Sequence, residues 1–150
     1  TLTDTISSGI CKPFFERWRP TRDPVLMYVV DVVNETRGGS YGFTSSHAAN
    51  SFGIATFVIL LIKNRALSIS LVVWASMNAF TRIYLGVHYP SDVIVGAVFG
   101  VGMAFLGNYL FERVKDVKKL YVAVLLIFAP PCFVQTINTF RDFTIWMPEK

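Results

Sequence analysis

The chain has 150 residues, of which 53% are apolar and only 16% are charged, and its formal charge is +4. Roughly 25% of residues are charged in an ordinary soluble domain, so this composition excludes one. The surplus of basic residues sits in loops rather than along one stripe, which argues against a nucleic-acid partner.

The length fits one domain over residues 1–150. Residues 1–15 read as the end of a helix that is too short and polar to span a membrane alone. No signal peptide is expected, because Asp4 stands where a basic region should precede an apolar run. Position 1 is not Met, so a fragment or a processed form is expected, and a longer protein would supply the rest of this first helix and further helices before it. Lys12 and Arg19 are seven residues apart. That is about two helical turns, which would put both cations on one face if the helix continues. Pro13 limits that continuity and Pro20 ends it.

Residues 20–43 form a long connection punctuated by Pro20, Pro24, Gly38, Gly39 and Gly42. Its middle, residues 25–33, is apolar apart from Tyr28 and Asp31. It either lies at a membrane surface near a substrate entrance or forms a short strand or helix covering the bundle.

Four uncharged stretches follow, at residues 48–62, 66–81, 93–111 and 120–140. A membrane span needs about 20 mostly apolar residues. The last two stretches qualify alone. The first two qualify once Ser45 to His47 and residues 82–86 join their helices. So short a chain cannot cover four all-round apolar helices with its own protein. The expected fold is therefore all-α, a multi-pass transmembrane helical bundle. Gly96 and Gly100 mark a face where another helix comes close. Pro130 and Pro131 kink the fourth stretch or make it re-entrant. Cys11 and Cys132 lie far apart in apolar surroundings and read as buried thiols.

Following the chain across the membrane puts His47, Arg82 and His88 on one face. Lys63, Arg65, Arg113, Lys115, Lys118 and Lys119 fall on the other, which the positive-inside rule makes cytoplasmic. The expected location is the cell membrane, with the histidines on the external or periplasmic face. Arg17, Arg22 and Arg37 also fall on that face, where an anion site needs basic groups. Tyr41, Tyr84 and Tyr89 near one face, and Tyr109 and Tyr121 near the other, fit aromatic belts.

Both histidines stand in settings suited to phosphate. Histidine is the side chain best placed to exchange protons near neutral pH. His47 follows Thr44, Ser45 and Ser46, a helix start whose free N–H groups suit an anion. Ser45 would offer its hydroxyl and Ser46 its backbone N–H. His88 precedes Pro90, a good first helical residue, and Asp92 would lie in the first turn within reach of it. Lys12, Arg19 and Arg82 are the candidate clamp for phosphate oxygens. These groups assign His88 as nucleophile, Asp92 as its orienter and His47 as general acid. A metal is not expected, since zinc would want a third or fourth ligand and the basic neighbours repel a cation. No cofactor is expected either.

The three clusters, in this order, resemble the type 2 phosphatidic acid phosphatase superfamily. Its first motif, K-x6-R-P, is matched by Lys12, Arg19 and Pro20. Its second, P-S-G-H, is matched at Ser45 and His47. Its third, S-R-x5-H-x3-D, is matched at Arg82, His88 and Asp92. Thr44 stands in place of proline, gaining a cap. Ser46 replaces glycine, adding bulk at the phosphate site. Thr81 replaces serine and keeps a hydroxyl. The similarity covers residues 1–111, and residues 120–140 would be an addition. The resemblance implies a membrane phosphatase acting on a lipid phosphate or pyrophosphate through a phosphohistidine, without metal. Membrane lipids are the other implied partner, and the oligomeric state stays open. The same pocket could instead serve a vanadate-dependent haloperoxidase, although that branch is typically soluble. A non-catalytic phospholipid-binding protein is the third reading.

Overall fold

Three of the apolar stretches form long helices in the computed structural model, which describes residues 2–30 and 38–113. The fourth stretch, residues 120–140, lies outside the described residues, as do Arg37, Lys115, Lys118, Lys119, Tyr121, Pro130, Pro131 and Cys132.

The N-terminal arm is helical but not uniform. Helix α1 (Leu2–Ile6) runs into a π-helical turn (Ser7–Cys11) and then α2 (Lys12–Phe15). Pro13 offers no N–H, and its ring crowds the carbonyl four residues back. The wider turn relieves this, with the Lys12 N–H bonding to Ser7 O. Glu16 then takes a left-handed conformation (φ 45°) and ends α2. The arm then becomes extended, and Trp18 pairs with Tyr41 in an isolated antiparallel bridge. The expectation that Lys12 and Arg19 share a helical face is therefore corrected. Arg19 reaches the same region from extended backbone (φ −72°, ψ 153°).

Two 3-10 turns follow, at Pro20–Arg22 and Leu26–Tyr28. The Asp23 carboxylate accepts the N–H groups of Val25 (2.9 Å) and Leu26 (3.2 Å), closing the second turn. Val25, Tyr28 and Val29 are all exposed.

Helix α3 (Ser46–Ile62) is capped by the Ser45 hydroxyl, which accepts from the Ala48 N–H at 3.4 Å. The cap is thus Ser45 rather than Thr44, because Thr44 faces the arm: Ser7 Oγ donates to its carbonyl at 3.0 Å. Lys63 turns left-handed (φ 53°) and Asn64 caps α4 (Arg65–Tyr84), accepting from the Leu67 N–H. Helix α5 (Pro90–Arg113) opens on proline.

Helices α3 and α5 run parallel. Their starts are joined by a hydrogen bond from Ser45 N–H to Asp92 O at 3.1 Å. Farther along, the rings of Phe57 and Phe111 meet edge to face at 6.3 Å. Glycine permits this close approach. A Cβ at Gly100 would collide with the Ala49 carbonyl, and one at Gly96 with the Ser45 carbonyl. Helix α4 returns antiparallel beside α3, where the Asn78 amide donates to the Ser51 hydroxyl. Ala48, Ala79 and Val93 form the small buried core, with Phe52 and Ile83 packed against it.

The outer faces are strongly apolar. Ile69, Val72, Val73, Met77 and Phe80 of α4 are exposed, as are Ile94, Val98, Phe105, Leu106 and Leu110 of α5. Both helices are long and apolar enough to cross a membrane, while α3 is shorter. Twenty and 24 residues correspond to about 30 and 36 Å. A helix buried in a soluble core would not leave such a face uncovered, so these faces fit lipid.

Candidate active site

The residues singled out by the sequence meet at one end of the helices. The start of α3 supplies His47, the end of α4 supplies Arg82, and the loop between α4 and α5 supplies His88. The start of α5 supplies Asp92, and the N-terminal arm lays Lys12 and Arg19 across them. Two helix N-termini, of α3 and α5, therefore open on the same region. Their aligned dipoles favour an anion there.

Lys12 is held by hydroxyls. Its Nζ donates to Ser8 Oγ at 2.9 Å and to Ser46 Oγ at 3.2 Å. Ser46 in turn donates to Ser7 Oγ at 3.0 Å. Ser46 thus enters through its side chain, beyond the backbone N–H expected of it. Ser45 is fully buried, and its hydroxyl is engaged as the α3 cap.

Arg19 lies against the His88 loop. Its Nη1 donates to Val87 O at 3.0 Å and lies 3.3 Å from His88 Nε2. The loop at residues 38–42 closes over it. A Cβ on Gly38 (φ +62°) would sit 3.1 Å from the guanidinium, and one on Gly42 would crowd both Arg19 and Asp92. Arg19 Nε is buried without a hydrogen-bond partner. Arg82 is buried, and its Nε donates to Thr81 Oγ1 at 3.3 Å. Arg82, His88, Arg19 and Lys12 all lie within electrostatic reach of His47.

His88 is 3% exposed and Asp92 is fully buried. His88 Nδ1 lies 3.8 Å from Asp92 Oδ2, beyond hydrogen-bond length. Burial pushes the imidazole below its ordinary value of 6.5, Arg19 and Lys12 push the same way, and Asp92 opposes them. A neutral ring leaves the Nε2 lone pair facing the cationic clamp.

Sequence reasoning missed three contributors. Ser8 stands one helical turn before Lys12, a spacing that could have revealed it. Ser7 packs against α3 from 39 residues before Ser46, and no local spacing announces such a pair. Arg17 bonds to Asp92 Oδ1 at 2.9 Å, yet in the sequence it is one basic residue among several. Among the described residues no three His, Cys, Asp or Glu side chains cluster as a metal site would require.

The arrangement offers fixed cations, two imidazoles and a buried carboxylate at a mouth flanked by apolar helices. Such a set can bind a tetrahedral oxyanion, attack it and exchange protons with it. Comparison with known proteins gives the same direction. The family model described as the PAP2 superfamily matches residues 1–116. A lipid A 4'-phosphatase of Bacteroides thetaiotaomicron is 46% identical over 112 residues, covering 74% of this chain and 48% of that protein. A lipid A 4'-phosphatase of Porphyromonas gingivalis is 35% identical over 75% of this chain and 48% of its own length. An undecaprenyl-diphosphatase of Bacillus subtilis is 30% identical over 56% of this chain and 40% of that protein. The chain thus spans about half (48%) of the two lipid A 4'-phosphatases. No solved structure matches it.

Proposed function

Since the chain belongs to the PAP2 superfamily, we propose that it is the catalytic part of an integral-membrane phosphatase that hydrolyses a lipid phosphate monoester. The observation that carries this reading is the meeting of Lys12, Arg19, Arg82, His47 and His88 at one end of helices with exposed apolar faces. The names of the two lipid A 4'-phosphatases support a lipid A-type phosphate as substrate. The undecaprenyl-diphosphatase keeps a lipid pyrophosphate as the second reading.

In the proposed reaction Lys12, Arg19 and Arg82 hold the non-bridging oxygens, helped by Ser45, Ser46 and the N-termini of α3 and α5. His88 Nε2 attacks phosphorus as the bond to the leaving oxygen breaks. His47 gives that oxygen its proton. Water then attacks the phosphohistidine, and His47 takes the water's proton as the N–P bond breaks and inorganic phosphate leaves. Asp92 stabilises the positive ring that forms on His88. Every proton and electron pair is accounted for by these groups, and the proposed mechanism calls for no metal.

Lys63, Arg65 and Arg113 lie at the helix ends opposite His47 and His88. By the positive-inside rule they support an active site on the external or periplasmic face.

The test is phosphate release from a panel of lipid phosphates in detergent, with chelator present, for this chain and for His88→Ala. We expect release by the parent chain, greatest on lipid A-type phosphates, and a loss of at least roughly 10³-fold in the variant. Undiminished release by folded His88→Ala would remove the nucleophile assignment, and release abolished by chelator would remove the metal-free mechanism.

A further inference from the structure

Asp92 is fully buried, yet neither of its oxygens is spent on His88. Oδ1 accepts from Arg17 Nη1 at 2.9 Å, and Oδ2 accepts the Tyr89 N–H at 3.1 Å. His88 Nδ1 is buried without a hydrogen-bond partner, 3.8 Å from Oδ2. Arg17 Nη1 also donates to Ser91 Oγ at 2.8 Å, and the guanidinium lies 4.4 Å above the Tyr89 ring. Three contacts therefore fasten Arg17 to residues 89–92. Its own segment is clamped too, since Gly42 N–H donates to Arg17 O at 2.9 Å. The side chain of Arg17 is 41% exposed while that of Asp92 is 0%, so Arg17 reaches from solvent to the buried carboxylate.

We propose that Arg17 is a positioning residue for this reaction, fixing the Asp92 carboxylate beside His88 and sharing its negative charge. The inference rests on the phosphatase reading above.

A buried carboxylate with no other partner draws a proton strongly onto a neighbouring imidazole. A protonated ring has no lone pair for phosphorus. With Arg17 on the far oxygen, the ring stays neutral and Nε2 remains a nucleophile. Once Nε2 is bonded to phosphorus the ring is positive, and Asp92 is close enough to stabilise it. The other groups around His88 are Arg19 at Nε2, Lys12 from the arm, and His47 with Arg82 from α3 and α4. Those that carry positive charge oppose protonation of His88. Asp92 favours it, and Arg17 moderates Asp92 together with the Tyr89 N–H on Oδ2 and the nearby Arg19 charge.

The experiment uses the full chain in detergent. The chain has two histidines, so an NMR titration resolves two imidazoles, and His47→Asn assigns them. Arg17→Met should raise the His88 midpoint, and the acidic limb of kcat/KM on a lipid phosphate, by roughly 1 pH unit. Arg17→Gln, which keeps a donor without the charge, should do the same and replaces the first variant should that one not fold. Arg17→Lys should move both by less. KM should hardly change. An unmoved midpoint in a folded neutral variant overturns the proposal. So does a raised KM with an unmoved limb, which would make Arg17 a substrate contact. A shifted midpoint in a chain that hydrolyses no lipid phosphate would instead strike the phosphatase reading and leave the tether in place.

Discussion

At the scale of single residues, the protonation of His88 decides when the proposed reaction can run. The attacking form in that proposal is the neutral ring, and burial lowers the ring's affinity for a proton. Protonation therefore sets in only below the ordinary value of 6.5, and activity should persist as the pH falls through that value before it is lost. The acidic limb of kcat/KM reports this in the free enzyme. A limb at or above the ordinary imidazole value would contradict the buried, uncharged state of His88. The candidate site residues were legible from the sequence, because Lys12, Arg19, His47, Arg82, His88 and Asp92 stand in short ordered motifs. Their partners were not. Arg17 and Asp92 are 75 residues apart, and Ser7 and Ser46 are 39 apart. Pairs of that kind arise from tertiary packing and leave no trace in local spacing.

At the scale of elements, the close parallel packing of α3 on α5 fixes the distance between His47 and the His88–Asp92 pair. Backbone meets backbone at Gly100 and Ala49, with no room for a side chain. Overpacking of this sort costs typically 1–3 kcal/mol. Gly100→Val should lower thermal stability by about that amount and reduce turnover together with it, because α3 must move away from α5 and carry His47 along. Thermal unfolding in detergent alongside turnover checks this, and unchanged values for both would mean that the two helices are not held at that contact. The small-residue pair at positions 96 and 100 announced the approach, but not its partner. The helical boundaries were also readable from charges and caps, with α4 and α5 each extending beyond their uncharged cores. The arm was harder. Seven-residue spacing suggested one continuous face for Lys12 and Arg19, whereas Glu16 breaks the helix and extended backbone delivers Arg19 instead. Nothing in the spacing of two cations distinguishes these routes to one pocket.

At the scale of the whole molecule, the described helices invert the usual order of a soluble protein. The buried interior is rich in alanine, serine and asparagine, while many of the large apolar side chains face outward. Composition alone had pointed to this, since too few charged residues are available to coat a water-facing surface. The outward apolar faces of α4 and α5 continue up to the catalytic end, through Phe80 and Tyr84 on one helix and Ile94 and Val95 on the other. Under the proposed function, a lipid whose headgroup enters the pocket can leave its tails where they already are. The encounter in that proposal is two-dimensional, and its frequency follows the mole fraction of substrate in the lipid or micelle rather than its amount per volume of water. Diluting a fixed quantity of substrate with inert detergent should slow turnover at constant bulk concentration, whereas a rate indifferent to that dilution would place the encounter in the aqueous phase.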